Sequence, residues 1–108
     1  VVYLSGDTGI TAEQKQVVGE FYNPKLVVMN IGDTFTTGPK QAAYVINYMV
    51  RPSSVIPSHA NEAATQDGKV LNGTRTERFS YEVNVDVHLP LSGRTMSFDD
   101  RGHCISGC

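Results

Sequence analysis

Leu26-Val27-Val28-Met29-Asn30-Ile31 is apolar almost without alternation. A strand of that kind is usually buried on both faces, as in a parallel sheet covered by helices, since alternation would mark a wet face. Working backward, Val1 to Leu4 is another short apolar run, closed by the tight loop Ser5-Gly6-Asp7-Thr8-Gly9. Between the two runs, Thr11 and Gln14 have capping-box spacing. Ala12, Val17, Val18, Phe21 and Tyr22 then fall close to one helical face before Asn23-Pro24 stops the helix.

Working forward, Thr37 is an N-cap and Pro39 suits the first helical turn. Ala42, Ala43, Ile46, Tyr48 and Met49 supply an apolar stripe up to the Arg51-Pro52 stop. Ser54-Val55-Ile56-Pro57 is the third strand. Parallel neighbours need a crossover, and crossovers are nearly always right-handed, so the first 59 residues predict two successive βαβ units in one parallel sheet.

The second half is less regular. Residues 61–73 mix small and polar side chains with Asp67-Gly68 and Asn72-Gly73 turn signals, which predicts a long surface excursion with one helical turn. Thr74 to Asn84 reads as a short helix, although Phe79, Tyr81 and Val83 also alternate as a strand would. Val85 to Leu89 and Thr95 to Phe98 read as strands around a Ser92-Gly93 turn, with Pro90 marking an edge.

With 108 residues the chain holds one domain, not two. A content of 40% hydrophobic and 19% charged residues excludes a disordered tail or a fibrous repeat. Nine basic against eleven acidic residues leave a charge of -2, which argues against the broad basic surface of a nucleic-acid binder. No apolar run approaches the roughly 20 residues that cross a bilayer, and the first residues lack a signal-peptide pattern, so no membrane partner is expected. The chain opens on Val1-Val2-Tyr3, without Met and already as a strand, which predicts a segment upstream of Val1. The compartment stays unassigned.

In an open parallel sheet the ligand crevice lies beyond the carboxyl ends of the strands. Three loops qualify, and they bring Asp7, Asp33 and His59. A carboxylate and an imidazole converging on one rim suit a divalent metal, since zinc accepts both donors. Against this, Asp7 between two glycines is also a common turn former, and Asp33 reads first as a turn or helix-entry residue. His59 carries more weight, because an imidazole at the end of a buried strand needs a partner. A serine hydrolase lacks its G-x-S-x-G elbow, and a phosphate loop lacks its lysine. Cys104 and Cys108 could close a small disulfide loop or remain two thiols.

Gly6-Asp7-Thr8, the run from Ile31-Gly32-Asp33-Thr34 through Gly38-Pro39 to Tyr44, and Val55-Ile56-Pro57-Ser58-His59 resemble the C-terminal half of the metallo-β-lactamase superfamily. Within it they are most similar to hydrolases related to ascorbate-6-phosphate lactonase. The resemblance covers residues 1–98, taken as the half-domain, and leaves residues 99–108 as a tail with the cysteine pair.

The resemblance implies an α/β fold that forms one half of an αββα sandwich. It also implies two divalent metal ions, zinc or manganese, in the complete protein. Asp7 matches the aspartate that bridges the metals and His59 a late histidine ligand, while the family's His-x-His-x-Asp-His motif does not occur here. His88 and His103 match no ligand position and read as surface or edge residues.

Two ligands fall short of the three that a zinc site normally takes from protein, so this chain alone is expected to hold no metal firmly and to be inactive. Asp33 and Thr34, at the neighbouring strand end, are the candidates to line a crevice for a small-molecule ester, lactone or phosphate ester. The implied architecture leaves one sheet face bare, to be covered by the missing N-terminal half or by another copy of the chain. The rival expectation is a non-catalytic module that assembles with itself or binds a partner.

Overall fold

The computed structural model describes residues 1–33 and 35–108. β1 (Val2–Leu4) and β2 (Leu26–Asn30) lie parallel and in contact. β3 (Ser54–Ser58) continues the sheet on the far side of β2, so that Leu4, Val28 and Ile56 form one register row. The first helix (Gln14–Tyr22) and the second (Pro39–Tyr44, running on as Val45–Val50) make the two crossovers.

Both crossovers end alike. Asn23 and Arg51 adopt the left-handed conformation, with φ of 47° and 52°, and donate their N–H groups back to Val18 and Ile46. Each donates five residues back, the wide turn of a π-type helix end. Pro24 and Pro52 follow, and neither can prolong the helix.

Residues 61–73 hold a small antiparallel hairpin, β4 (Thr65–Gln66) and β5 (Lys69–Val70), turned at Asp67-Gly68. The helical turn expected there does not form, because Asp67 and Gly68 both take positive φ, which suits a tight hairpin turn and breaks a helix. The third helix (Arg75–Glu82) follows, capped by the Thr74 hydroxyl accepting from the Glu77 N–H.

β6 (Asp86–Val87) then joins the main sheet parallel to β3. It does not pair with the next strand around Ser92-Gly93, as the sequence suggested. Instead β7 (Ser97–Phe98) pairs with β8 (Cys104–Ser106), which carries regular structure into the tail after residue 98. Cys104 and Cys108 are disulfide-bonded.

The main sheet has the order β1-β2-β3-β6, the same as the chain order. Crossovers of one hand taken in that order put every helix on one side. The core shows this directly: Val27, Met29 and Val55 of the sheet pack with Ala42, Val45, Ile46 and Met49 of the second helix and Phe79 of the third. Residues of the alternate row face the other way. Val2 and Leu4 are exposed there, and Leu26, Val28 and Ile56 are half-buried.

β2 is therefore covered by helices on one face, not two, and its unbroken apolar run leaves an apolar second face. His88, just past the edge strand β6, meets the Phe98 ring edge-on at 5.4 Å, so of the surface or edge position expected it takes the edge one, half-buried.

Two helix faces also differ from expectation. Of the predicted first-helix stripe only Val18 packs on the core, while Val17, Phe21 and Tyr22 are exposed and Gln14 is buried. The reason is at the helix start, where Gln14 Oε1 accepts from the Thr11 N–H at 2.8 Å and its Nε2 reaches the Tyr3 hydroxyl. Those two bonds turn Gln14 inward and rotate the apolar stripe away. In the second helix the buried row is Ala42, Ala43, Val45, Ile46, Met49 and Val50, and Tyr48 is exposed. Gly38, not Thr37, is the N-cap.

Pro57 sits inside β3 without breaking it. Val55 accepts from the His88 N–H on the β6 side, so Pro57, two residues on, directs its missing donor to the same side. The β6 pairing has ended by then, and no ladder bond is lost. No helix among the described residues is long and apolar enough to cross a membrane.

Candidate functional site

The three loops that follow β1, β2 and β3 lie at one end of the sheet, where parallel strands point their carboxyl ends. Asp7 and His59 come from its first and third strands, on either side of β2. Their side chains nevertheless meet: Asp7 Oδ1 lies 2.8 Å from His59 Nδ1. Both groups are open to solvent, with 67% of the Asp7 side chain and 44% of the His59 side chain exposed, so the pair is reachable from outside.

Backbone geometry makes the meeting possible. Gly6 turns the first loop with a φ of +60°, a conformation that costs glycine nothing. His59 and Asn61 are left-handed at 48° and 58°, and Asp33 at 65°. Each such non-glycine residue carries strain of about 1–3 kcal/mol, which the surroundings have to offset. For the His59 loop the surroundings are identifiable. Gly32 lies against the His59 carbonyl, Arg75 donates from Nη1 to the Ala60 carbonyl at 3.1 Å, and Glu62 accepts from the Thr76 N–H at 3.2 Å.

Arg75 and Glu62 thus tie the third loop to the third helix, and the sequence did not single them out. Asn30 was missed as well. It ends the apolar β2 run as its only polar side chain, is wholly buried, and bonds to the loop that carries Asp7. That lone amide in a core strand was the available signal.

Asp33 takes a different position. Its carboxyl packs on Gly38, and it borders a hollow of about 300 Å³ shared with Thr74, Arg75 and Arg78. His59 instead borders a cavity of about 330 Å³ with Pro57, Glu62, Thr76 and Leu89. Thr34, its expected companion in the crevice, lies outside the described residues.

A carboxylate and an imidazole are the right donors for a divalent cation, but among the described residues no three His, Cys, Asp or Glu side chains cluster to hold one. The residues present therefore do not make a complete metal site, and no reaction step is derived through a metal.

No family profile matches the chain. It is similar to curated proteins described as UPF0173 metal-dependent hydrolases. That of Roseiflexus sp. (strain RS-1) is 45% identical over 100 residues, which is 89% of this chain and 38% of the relative. That of Caldivirga maquilingensis is 36% identical over 92 residues, 83% of this chain and 39% of the relative. That of Polynucleobacter asymbioticus is 33% identical over 97 residues, 90% of this chain and 33% of the relative.

Among solved structures, Igni18, described as a novel metallo hydrolase from Ignicoccus hospitalis, superposes with a TM-score of 0.61 at 25% identity. The match covers 95% of this chain and 40% of that one. The chain thus spans well under half the length of the proteins it matches. Its homologues are metal-dependent hydrolases and its fold is that of part of a metallo hydrolase, in keeping with the metallo-β-lactamase superfamily.

Proposed function

We propose that this chain contributes one side of a dinuclear metal centre in a metal-dependent hydrolase. Asp7 would bridge the two ions, zinc or manganese, and His59 would bind one of them. The remaining donors come from polypeptide outside these 108 residues, either a further N-terminal segment of a longer protein or a separate chain. Small-molecule esters, lactones or phosphate esters are the substrate class, and a lactonase of the ascorbate-6-phosphate type is the nearest activity.

The observation that carries this reading is the 2.8 Å approach of Asp7 to His59 across the end of β2. Two donors on one tetrahedral ion stand about 3.3 Å apart, given metal–ligand bonds of about 2.0–2.1 Å. Opening the existing contact by about half an ångström therefore turns a hydrogen-bonded pair into a chelating one. The chain's span, 33–39% of its relatives, supports donors held elsewhere.

The second reading is a non-catalytic module that assembles with itself or a partner through the apolar sheet face, on which Val2 and Leu4 are exposed. Metal analysis with intact-mass measurement of the source protein separates the two. The hydrolase reading expects a longer precursor with a histidine-rich metal motif, and little metal or activity in the isolated 108 residues. A source protein of this length alone, without metal, supports the assembly module. Near-stoichiometric metal and hydrolysis by the isolated chain would overturn the claim that further donors are required.

A further inference from the structure

We infer that Asn30 is the positioning residue that presents Asp7 to His59. The inference rests on the reading of Asp7 and His59 as paired donors, and it assigns a task to a side chain that the strand itself does not need. β2 pairs with β3 through backbone groups, with Asn30 opposite Ser58, so the strand pairing does not call on the amide.

Asn30 is 0% exposed, and a buried amide left without partners is costly. Its partners lie on both sides of Asp7. Ser5 donates its hydroxyl to Asn30 Oδ1 at 2.9 Å and accepts from the Asn30 N–H at 3.0 Å. Asn30 Nδ2 donates to the Thr8 carbonyl at 2.9 Å. One amide thereby grips the residue two before Asp7 and the residue after it. Thr37 completes the arrangement: its hydroxyl donates to the Asn30 carbonyl and its N–H to the Thr8 carbonyl, each at 2.9 Å.

Asp7 itself is exposed and meets His59 with its carboxylate, so the direction of that carboxylate follows from how Ser5 and Thr8 are held. Removing the amide leaves the loop anchored by its Ser5 N–H to Val28 and by its Thr8 carbonyl to the Thr37 N–H, and loosens the span across Gly6 and Asp7 between them. The sheet and core are untouched.

The test is nuclear magnetic resonance on the 108-residue chain, comparing wild type with Asn30→Ala and with Ser5→Ala. The first readout is the Overhauser contact between the Asp7 β-protons and the His59 ring. The second is the Mn²⁺ concentration that half-broadens the signals of residues 6–9 and 59. Wild type shows the contact. Both variants lose most of it while Phe79 and Val55 signals stay in place, and both need about tenfold more Mn²⁺, as for other residues that orient a metal ligand.

A contact of equal strength in the variants, or none in wild type, overturns the inference. If wild type shows the contact and the variants lose it, but Mn²⁺ never broadens those signals, the positioning role stands and the pair needs donors from outside these 108 residues before it binds an ion. Should Asn30→Ala not fold, Ser5→Ala decides, since Ser5 is at the surface end of the same arrangement.

Discussion

The Gly32 α-carbon lies so close to the His59 carbonyl that a β-carbon at position 32 would collide with that oxygen and press on the Asn61 amide. This contact joins the loop after β2 to the loop after β3. It sets how near His59 can come to the strand between itself and Asp7. Gly32→Ala is expected to cost about 2 kcal/mol through overpacking, and to push the His59 backbone outward. Chemical denaturation measures the first effect. Loss of the Asp7–His59 contact in the folded variant measures the second, and an unchanged contact would show that the loop position is set elsewhere.

Leu4 is 69% exposed on the sheet face that carries no helices. Leu4→Lys is therefore expected to change stability by no more than about 0.5 kcal/mol, the usual range for a surface position. Its effect falls on association: on the assembly-module reading, sedimentation of the variant shifts toward monomer relative to wild type, and on the hydrolase reading binding to the polypeptide that covers this face weakens.

Phe79 is the largest wholly buried side chain, and it brings the third helix onto the helix-covered face of the sheet. Phe79→Ala is expected to remove about 4 kcal/mol, transfer and cavity terms together. A domain of this size has only about 5–15 kcal/mol to lose, so a thermal melt should fall steeply or disappear.

The carboxyl of Asp99 is held below its ordinary value, chiefly because it accepts from the His103 N–H and also from the Arg101 N–H, against some opposing burial. A depressed carboxylate contributes above the unfolded pKa, and the contribution is lost as pH falls through the folded one. The turn between β7 and β8 is thus expected to loosen only in acid, below the ordinary carboxylate range. The Arg101 and His103 amide shifts report it. Asp99→Asn should loosen the turn at neutral pH and remove the acid transition.

The parallel sheet was legible because its evidence is local: unbroken apolar runs at Leu26 to Met29 and Val55 to Pro57, each preceded by a helix that a proline ends. The position of Asp7 and His59 at strand ends was legible for the same reason. What stayed hidden depends on rotation and on distant partners. Nothing in the spacing of Val17, Phe21 and Tyr22 tells that two hydrogen bonds from Gln14 turn that helix face outward. The pairing of β7 with β8 was equally out of reach, because two short strands near a cysteine pair offer several partners of similar merit. Arg75 reads as an ordinary surface cation until the Ala60 carbonyl is seen beside it.

β1 is three residues long and stands at the margin of the main sheet, bonded on one side to β2. Its outer backbone amides and carbonyls therefore form a short open ladder, next to an apolar surface. Another polypeptide can join the molecule there in two physically distinct ways. Side chains laid across the surface demand a matching shape, whereas a strand zipped along the rim demands only extended backbone and is nearly indifferent to sequence.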